Sequence, residues 1–242
     1  MSKKIISVSG YLEISNQITQ GRTDMKPIQL LLCLVILQRI QSKIKKDKKE
    51  NNKNINKIKI SKKYLLNYFN KKILTQSYMD NIIDDILQEH CINMKDKTLE
   101  NFLIDISYDN EVLDIEYDDK KLYNFLIMEN NYTQLDLEYV CKKCAKSKNA
   151  IHIYMLICRV KSTGILKIKK ETLIYILGKD HIKNYPISKL TRDVKNALEL
   201  MSDLLGNYNI EYISGVYVIK FKKFKIEKST NYDEVIYDDD VI

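Results

Sequence analysis

The stretch Cys141-Lys-Lys-Cys144 comes closest to the residue types and spacing that could do chemistry. Two thiols three positions apart, with His152 and Cys158 following, would suit a soft metal if a second close pair completed the ligand set. The remaining cysteines, Cys33 and Cys91, stand alone. On a helix, a spacing of three puts two small apolar groups on one face, so the pair reads as buried packing and no metal is expected. His90, His152 and His181 lie far apart, so the His-hydrophobic-His pattern that holds a metal beside an attacking tyrosine is missing, despite 17 tyrosines. None of Gly10, Gly21, Gly164, Gly178, Gly206 and Gly215 precedes a Lys-Ser or Lys-Thr pair, so there is no phosphate-cradling loop. The sequence predicts no enzyme and no cofactor.

What remains is charge. Lys and Arg number 40 against 32 Asp and Glu, a net +8 that suits a polyanionic partner. The stretch NYPISKLTRDVKNALELMSDLLGNYNIEYISGVYVIKFKKF, residues 184–224, shows where that charge is placed. Leu190, Val194, Ala197, Leu198 and Met201 recur at helical spacing, which leaves Ser188, Lys189, Thr191, Arg192 and Lys195 outward. From Ile210 the pattern alternates around Ser214-Gly215 and ends in Lys220, Lys222, Lys223 and Lys225, the signature of a hairpin. A helix and a hairpin that share one sign fit double-stranded DNA, with Arg192 bidentate to guanine and the lysines on phosphates. Tyr139, Tyr154 and Tyr175 fall at inward helical positions, so they read as packing rather than as a platform for single strands.

The elements that hold these residues divide the chain into two halves. In the first, Asp24 and Pro27 mark the start of a helix that runs to about Ser42 and contains the apolar IQLLLCLVIL. That run falls short of the roughly 20 residues of a membrane span, so it reads as a buried helix, and no membrane partner is expected. The lysine-rich KIKKDKKENNKNINK reads as an exposed loop. Helices are expected at Ser61 to Phe69 and Thr75 to His90, then a hairpin around Asp109-Asn110, with Phe102, Ile104 and Ile106 before it and Leu113, Ile115 and Tyr117 after.

The second half opens with a connecting helix from Tyr132 or Thr133 to about Lys146 and continues with helices at Asn149 to Lys161 and Lys170 to Leu177, closed by Gly178. GILKIK is a short strand between them, and the helix and hairpin of residues 184–224 follow. Each half thus reads helix, short strand, helix, helix, hairpin. The expected fold is α+β: two tandem winged-helix domains related by pseudo-symmetry, residues 5–128 and 129–228. In such a domain the third helix lies in the major groove and the hairpin rides on the backbone. Residues 229–242 form an acidic tail, for which disorder ranks ahead of screening the basic face or contacting a host factor. Five cysteines in a chain whose first nine residues lack a secretory pattern place it in the reducing cytoplasm.

The whole chain, residues 5 to 228, resembles the iteron-binding plasmid replication initiators, the Rep proteins built from two winged helices. The resemblance is carried by NNYTQLDLEYVCKKCAKSKNAIHIYMLICRVKSTGILKIKKETLIYILG, by YPISKLTRDVKNALELMSD, by the hairpin IEYISGVYVIKF and by LEISNQITQGRTDMKPIQLLLCLVI at the N-terminal end. It implies origin repeats as ligand, a monomer that initiates, a homodimer that represses away from the repeats, and contacts with host replication proteins. It maps the second recognition helix to Ser188 to Ser202, with Lys189, Thr191, Arg192 and Lys195 facing DNA, and the first to Thr75 to His90. There Asp80, Asp84, Asp85 and Glu89 stand where cations are expected, and the hairpin from Asp96 to Asp119 is acidic. The first half is expected either to bind weakly through Lys71, Lys72 and Gln76 or to serve chiefly in dimerisation. A winged-helix regulator of transcription is the alternative reading.

Overall fold

The computed structural model describes residues 11–16, 18–23, 25–50, 56–69, 75–89, 92–93, 98–99, 103–126 and 132–226. Asp24, Lys71, Lys72, His90, Phe102 and the acidic tail lie outside the described residues. After strand β1 (Tyr11–Ser15) and a 3-10 turn (Ile18–Gln20), the first half consists of helix α1 (Pro27–Glu50), strand β2 (Lys57–Ser61), helices α2 (Lys62–Phe69) and α3 (Gln76–Glu89), the short strands β3 (Ile92–Asn93) and β4 (Thr98–Leu99), and the hairpin strands β5 (Leu103–Asp109) and β6 (Val112–Tyr117). Helix α4 (Asp119–Leu126) closes it. Strand β7 (Tyr132–Asp136) and helix α5 (Leu137–Tyr139), which continues as a π-helical turn (Val140–Cys144), lead to α6 (Lys148–Arg159), β8 (Ile165–Lys169), α7 (Lys170–Ile176), α8 (Ile187–Glu199), α9 (Ser202–Leu205), β9 (Asn209–Ile213) and β10 (Val216–Lys220). The sheets run β2-β6-β5 and β8-β10-β9, both antiparallel, while β1 pairs with β7 and β3 with β4.

Four elements depart from the sequence expectation, each for a local reason. Helix α1 does not stop at Ser42 but continues to Glu50 through part of the stretch read as a loop. Lys, Gln and Glu are good helix formers, and Lys43 and Asp47 face one another at i,i+4, 4.0 Å apart. The end of the same stretch is β2, whose Ile58 and Ile60 point inward while Lys57 and Lys59 point out. The segment from Tyr132 is a strand before it is a helix: Thr133 and Leu135 are buried as β7 pairs with β1, and helix begins only where the Asp136 side chain accepts from Tyr139 N–H. In β5 a register shift between Leu103 and Asp105 moves the inward set to Leu103, Ile106 and Tyr108 and leaves Ile104 60% exposed.

With its extra length, α1 is long and apolar enough between Pro27 and Lys45 to cross a membrane by composition alone, yet 67% of that window is buried in the protein, where α1 packs on β1, α3 and β2. The thiols of Cys141, Cys144 and Cys158 are buried as well, and burial pushes each of them up to about 12. One apolar core joins the halves. Helix α6, buried from Ala150 to Cys158, packs against α8, β7, α1 and the 3-10 turn. Around it Lys148 Nζ donates to Thr23 O at 2.9 Å and Arg22 Nη1 meets both Asp180 oxygens at 2.7 and 2.8 Å.

His152 lies in the middle of α6, 1% exposed, and neither ring nitrogen has a hydrogen-bond partner. Burial, reinforced by Lys148, lowers its pKa to about 3 from an ordinary 6.5. Because the folded value lies below the unfolded one, the unfolded chain takes up the proton first, and stability is lost as pH falls from about 6.5 towards 3. Between pH 7 and 5 the unfolding free energy read from urea titrations should fall, by at most about 1.4 kcal/mol per pH unit below 6.5, and His152→Leu should flatten that slope. An unchanged slope in the variant would contradict the assignment.

Candidate nucleic-acid interface

Helix α8 starts at Pro186, whose carbonyl accepts from Leu190 N–H at 3.0 Å. Leu190, Val194, Ala197 and Leu198 are buried, so Ser188, Lys189, Arg192 and Lys195 are exposed on the opposite side. Arg192 and Lys195 make no ion pair among the described residues, which leaves both charges available. Lys189 Nζ lies 5.3 Å from the centre of the Tyr185 ring, whose hydroxyl donates to Asp193 at 2.7 Å. Burial, then the Asp193 bond, pushes the Tyr185 phenol up to about 12, so it keeps its proton as a donor.

Thr191 does something different. It is half-buried, and its hydroxyl lies 2.9 Å from that of Tyr217, which also donates to Ile187 O at 3.3 Å. Tyr217 in turn packs its ring on Tyr212, 4.8 Å between centres. Thr191 therefore fixes the angle between α8 and the hairpin instead of presenting its hydroxyl outward.

The register of the hairpin sorts its lysines. The tip is Ser214-Gly215, with φ of 50° and 84°, the left-handed pair that a tight two-residue turn requires. Lys220 is paired with Asn209 at the other end, roughly 14 Å from the tip, and its amine meets Glu211 at 3.1 Å. Lys222 and Lys223 lie beyond it, exposed. The cations nearest the tip belong instead to β8: Lys169 is paired with Val216, Lys167 with Val218, and both are exposed. Sequence reasoning missed these two, although the outward lysines of ILKIK alternate as plainly as any wing residue.

The first half repeats the order of elements, with carboxylates on the corresponding helix. The outward side of α3 offers Ser77, Asp80, Asn81 and Asp84, and α3 contains no Lys or Arg. Gln76 donates to Asp80 and to the Tyr108 carbonyl, while Asp85 is held by Lys26 at 2.8 Å and Gln29 at 2.6 Å. Lys57, Lys59 and Lys62 are matched to Glu116, Asp114 and Glu111.

Helix, strand, two helices and a hairpin over a three-stranded sheet, with free cations on an outward helix, narrow the comparison to DNA-binding folds. The family profile described as Initiator Replication protein, WH1 matches residues 12–158, more than half of the chain. The chain belongs to this family. It is thereby a DNA-binding initiator of plasmid replication, and the matched part is the N-terminal winged-helix domain of such initiators. No curated protein matches the chain.

If the initiator meets phosphates through α8, Lys189→Ala and Lys195→Ala should each reduce the slope of log affinity against log salt by about 0.9. Lys220→Ala should change it less, because Glu211 already answers that charge. Equal slopes for all three variants would show that the duplex lies elsewhere.

Proposed function

We propose that the chain starts plasmid replication by binding directly repeated duplex sites of the origin, iterons, as a monomer, with α8 as the helix that reads bases. In this reading residues 129–228 form a second winged helix, related to residues 5–128 by pseudo-symmetry. The repeated element order and the matching strand orders support it. The observation that carries the base-reading role is Arg192, exposed and without an ion pair among the described residues, on a helix whose neighbouring cations are also outward. A guanidinium so placed suits the O6 and N7 acceptors of guanine. The acidic first half then contributes less to binding and more to a homodimer that represses when repeats are not bound. The protein acts in the cytoplasm, with no catalytic chemistry of its own, and contacts host replication proteins.

Selection from a pool of random duplexes tests this. The expected outcome is one motif, recurring in direct orientation beside the coding region. Two winged helices on adjacent turns of the groove would give it a length of about 20 base pairs. Sedimentation should find one protein per motif. On that duplex Arg192→Ala should cost about 1 to 3 kcal/mol and relax one base position, with a smaller loss on random duplex. Inverted repeats at a promoter, each carrying two copies, would favour a transcriptional regulator instead.

A further inference from the structure

The two three-stranded sheets share a strand order but not an outer surface. On β2-β6-β5 the outward charges answer one another, Lys57 with Glu116 at 2.9 Å and Lys59 with Asp114 at 3.6 Å. On β8-β10-β9 the outward positions are aliphatic at Ile165, Ile213, Val216 and Val218, with Ile165 42% and Ile213 55% exposed. Exposed Lys167 and Lys169 edge this floor along β8, and neither makes an ion pair among the described residues. Among the described residues the one carboxylate on the face, Glu211, is taken by Lys220 at 3.1 Å and Asn209 at 2.7 Å. Such a surface suits a ligand that interleaves carboxylates with β-branched or aromatic side chains.

The sequence contains a segment of that chemistry. Residues 231–242, NYDEVIYDDDVI, carry five carboxylates and no cation, interleaved with Tyr232, Val235, Ile236, Tyr237, Val241 and Ile242. The described chain leads towards it from the correct end of the sheet. After Lys220, Phe221 N–H donates to Gly164 O at 2.9 Å and Phe224 N–H to Lys161 O at 3.3 Å, beside the row of Ile165. From Ile226 to Asn231 the chain can span up to roughly 17 Å, about the length of the face itself. A short tether also raises the effective concentration of the segment to the order of millimolar, so individually weak contacts suffice.

We propose that the outer face of β8-β10-β9 is a docking surface for the acidic segment Asn231–Ile242 of the same chain. Its carboxylates answer Lys167 and Lys169, and its aliphatic residues cover Ile213 and Val216. Helix α8 packs on the inner face through Tyr217, so this docking leaves Arg192 and Lys195 open. The inference is independent of what α8 binds.

Zero-length carbodiimide cross-linking of the full chain, read by peptide mass spectrometry, tests it. The reagent joins a carboxylate to a lysine amine with loss of water, so it records pairs in direct contact. A mixture of isotopically light and heavy protein separates links within one copy from links between copies. The expected result is intramolecular links from Asp233, Glu234 or Asp238 to Asp240 onto Lys167 and Lys169. Ile213→Ser, at an exposed position that leaves every charge in place, should lower their yield roughly threefold by removing apolar cover. Links to Lys189 or Lys195 on α8 instead, links between light and heavy copies, the absence of links from this segment, or a yield indifferent to Ile213→Ser would each overturn the proposal.

Discussion

The burial of α6 is the constraint on which the remaining structure depends. A helix apolar all round cannot lie on a surface and must be packed on every side. Here α8 covers one side, while β7, α1 and the 3-10 turn cover others. The helix that presents Arg192 and the core of the first half thus rest on the same element. The paired β1 and β7 and the bridge from Arg22 to Asp180 close around that element. His152 records how dry the centre is, since an imidazole with no partner persists there only while neutral.

On this scaffold the two halves use charge differently. In the first, lysines and carboxylates lie opposite one another on neighbouring strands, and pairs of this exposed kind add little stability but cancel the outward field. In the second, Arg192 and Lys195 on α8, and Lys167 and Lys169 on the outer face of β8, have no such partners among the described residues. Uncancelled cations on one face draw in a polyanion and orient it as it arrives. The same order of elements thereby carries cations outward on α8 and carboxylates outward on α3.

Much of this was legible in the sequence because it follows from periodicity. The buried set of α8, the hairpin turn at Ser214-Gly215 and the cap at Gly178, where Lys179 N–H returns to Ile174 O, were all encoded locally. What was not legible depends on pairing across the chain. Strand β7 forms because β1, more than 100 residues earlier, lies beside it, and no local pattern in TQLD announces that partner. The shifted register at Ile104 and the placement of Lys220 far from the tip likewise follow from which residue faces which, a property of the sheet and not of the strand. Thr191 looked outward by helical spacing, yet a tyrosine 26 residues later turns its hydroxyl into a fastening between helix and hairpin.

Directed cleavage of bound DNA measures the central asymmetry most directly. Ser188 and Ser77 are exposed on α8 and α3, the two helices that hold equivalent places in the repeated element order. A DNA-cleaving iron chelate attached through cysteine at either position, in an otherwise full chain on a duplex it binds, reports which helix lies in a groove. Strong cuts confined to a few adjacent nucleotides from position 188, with weak or diffuse cuts from position 77, are the predicted result. Strong localised cutting from position 77 and little from position 188 would contradict the account, because an acidic helix would then be the one seated against DNA.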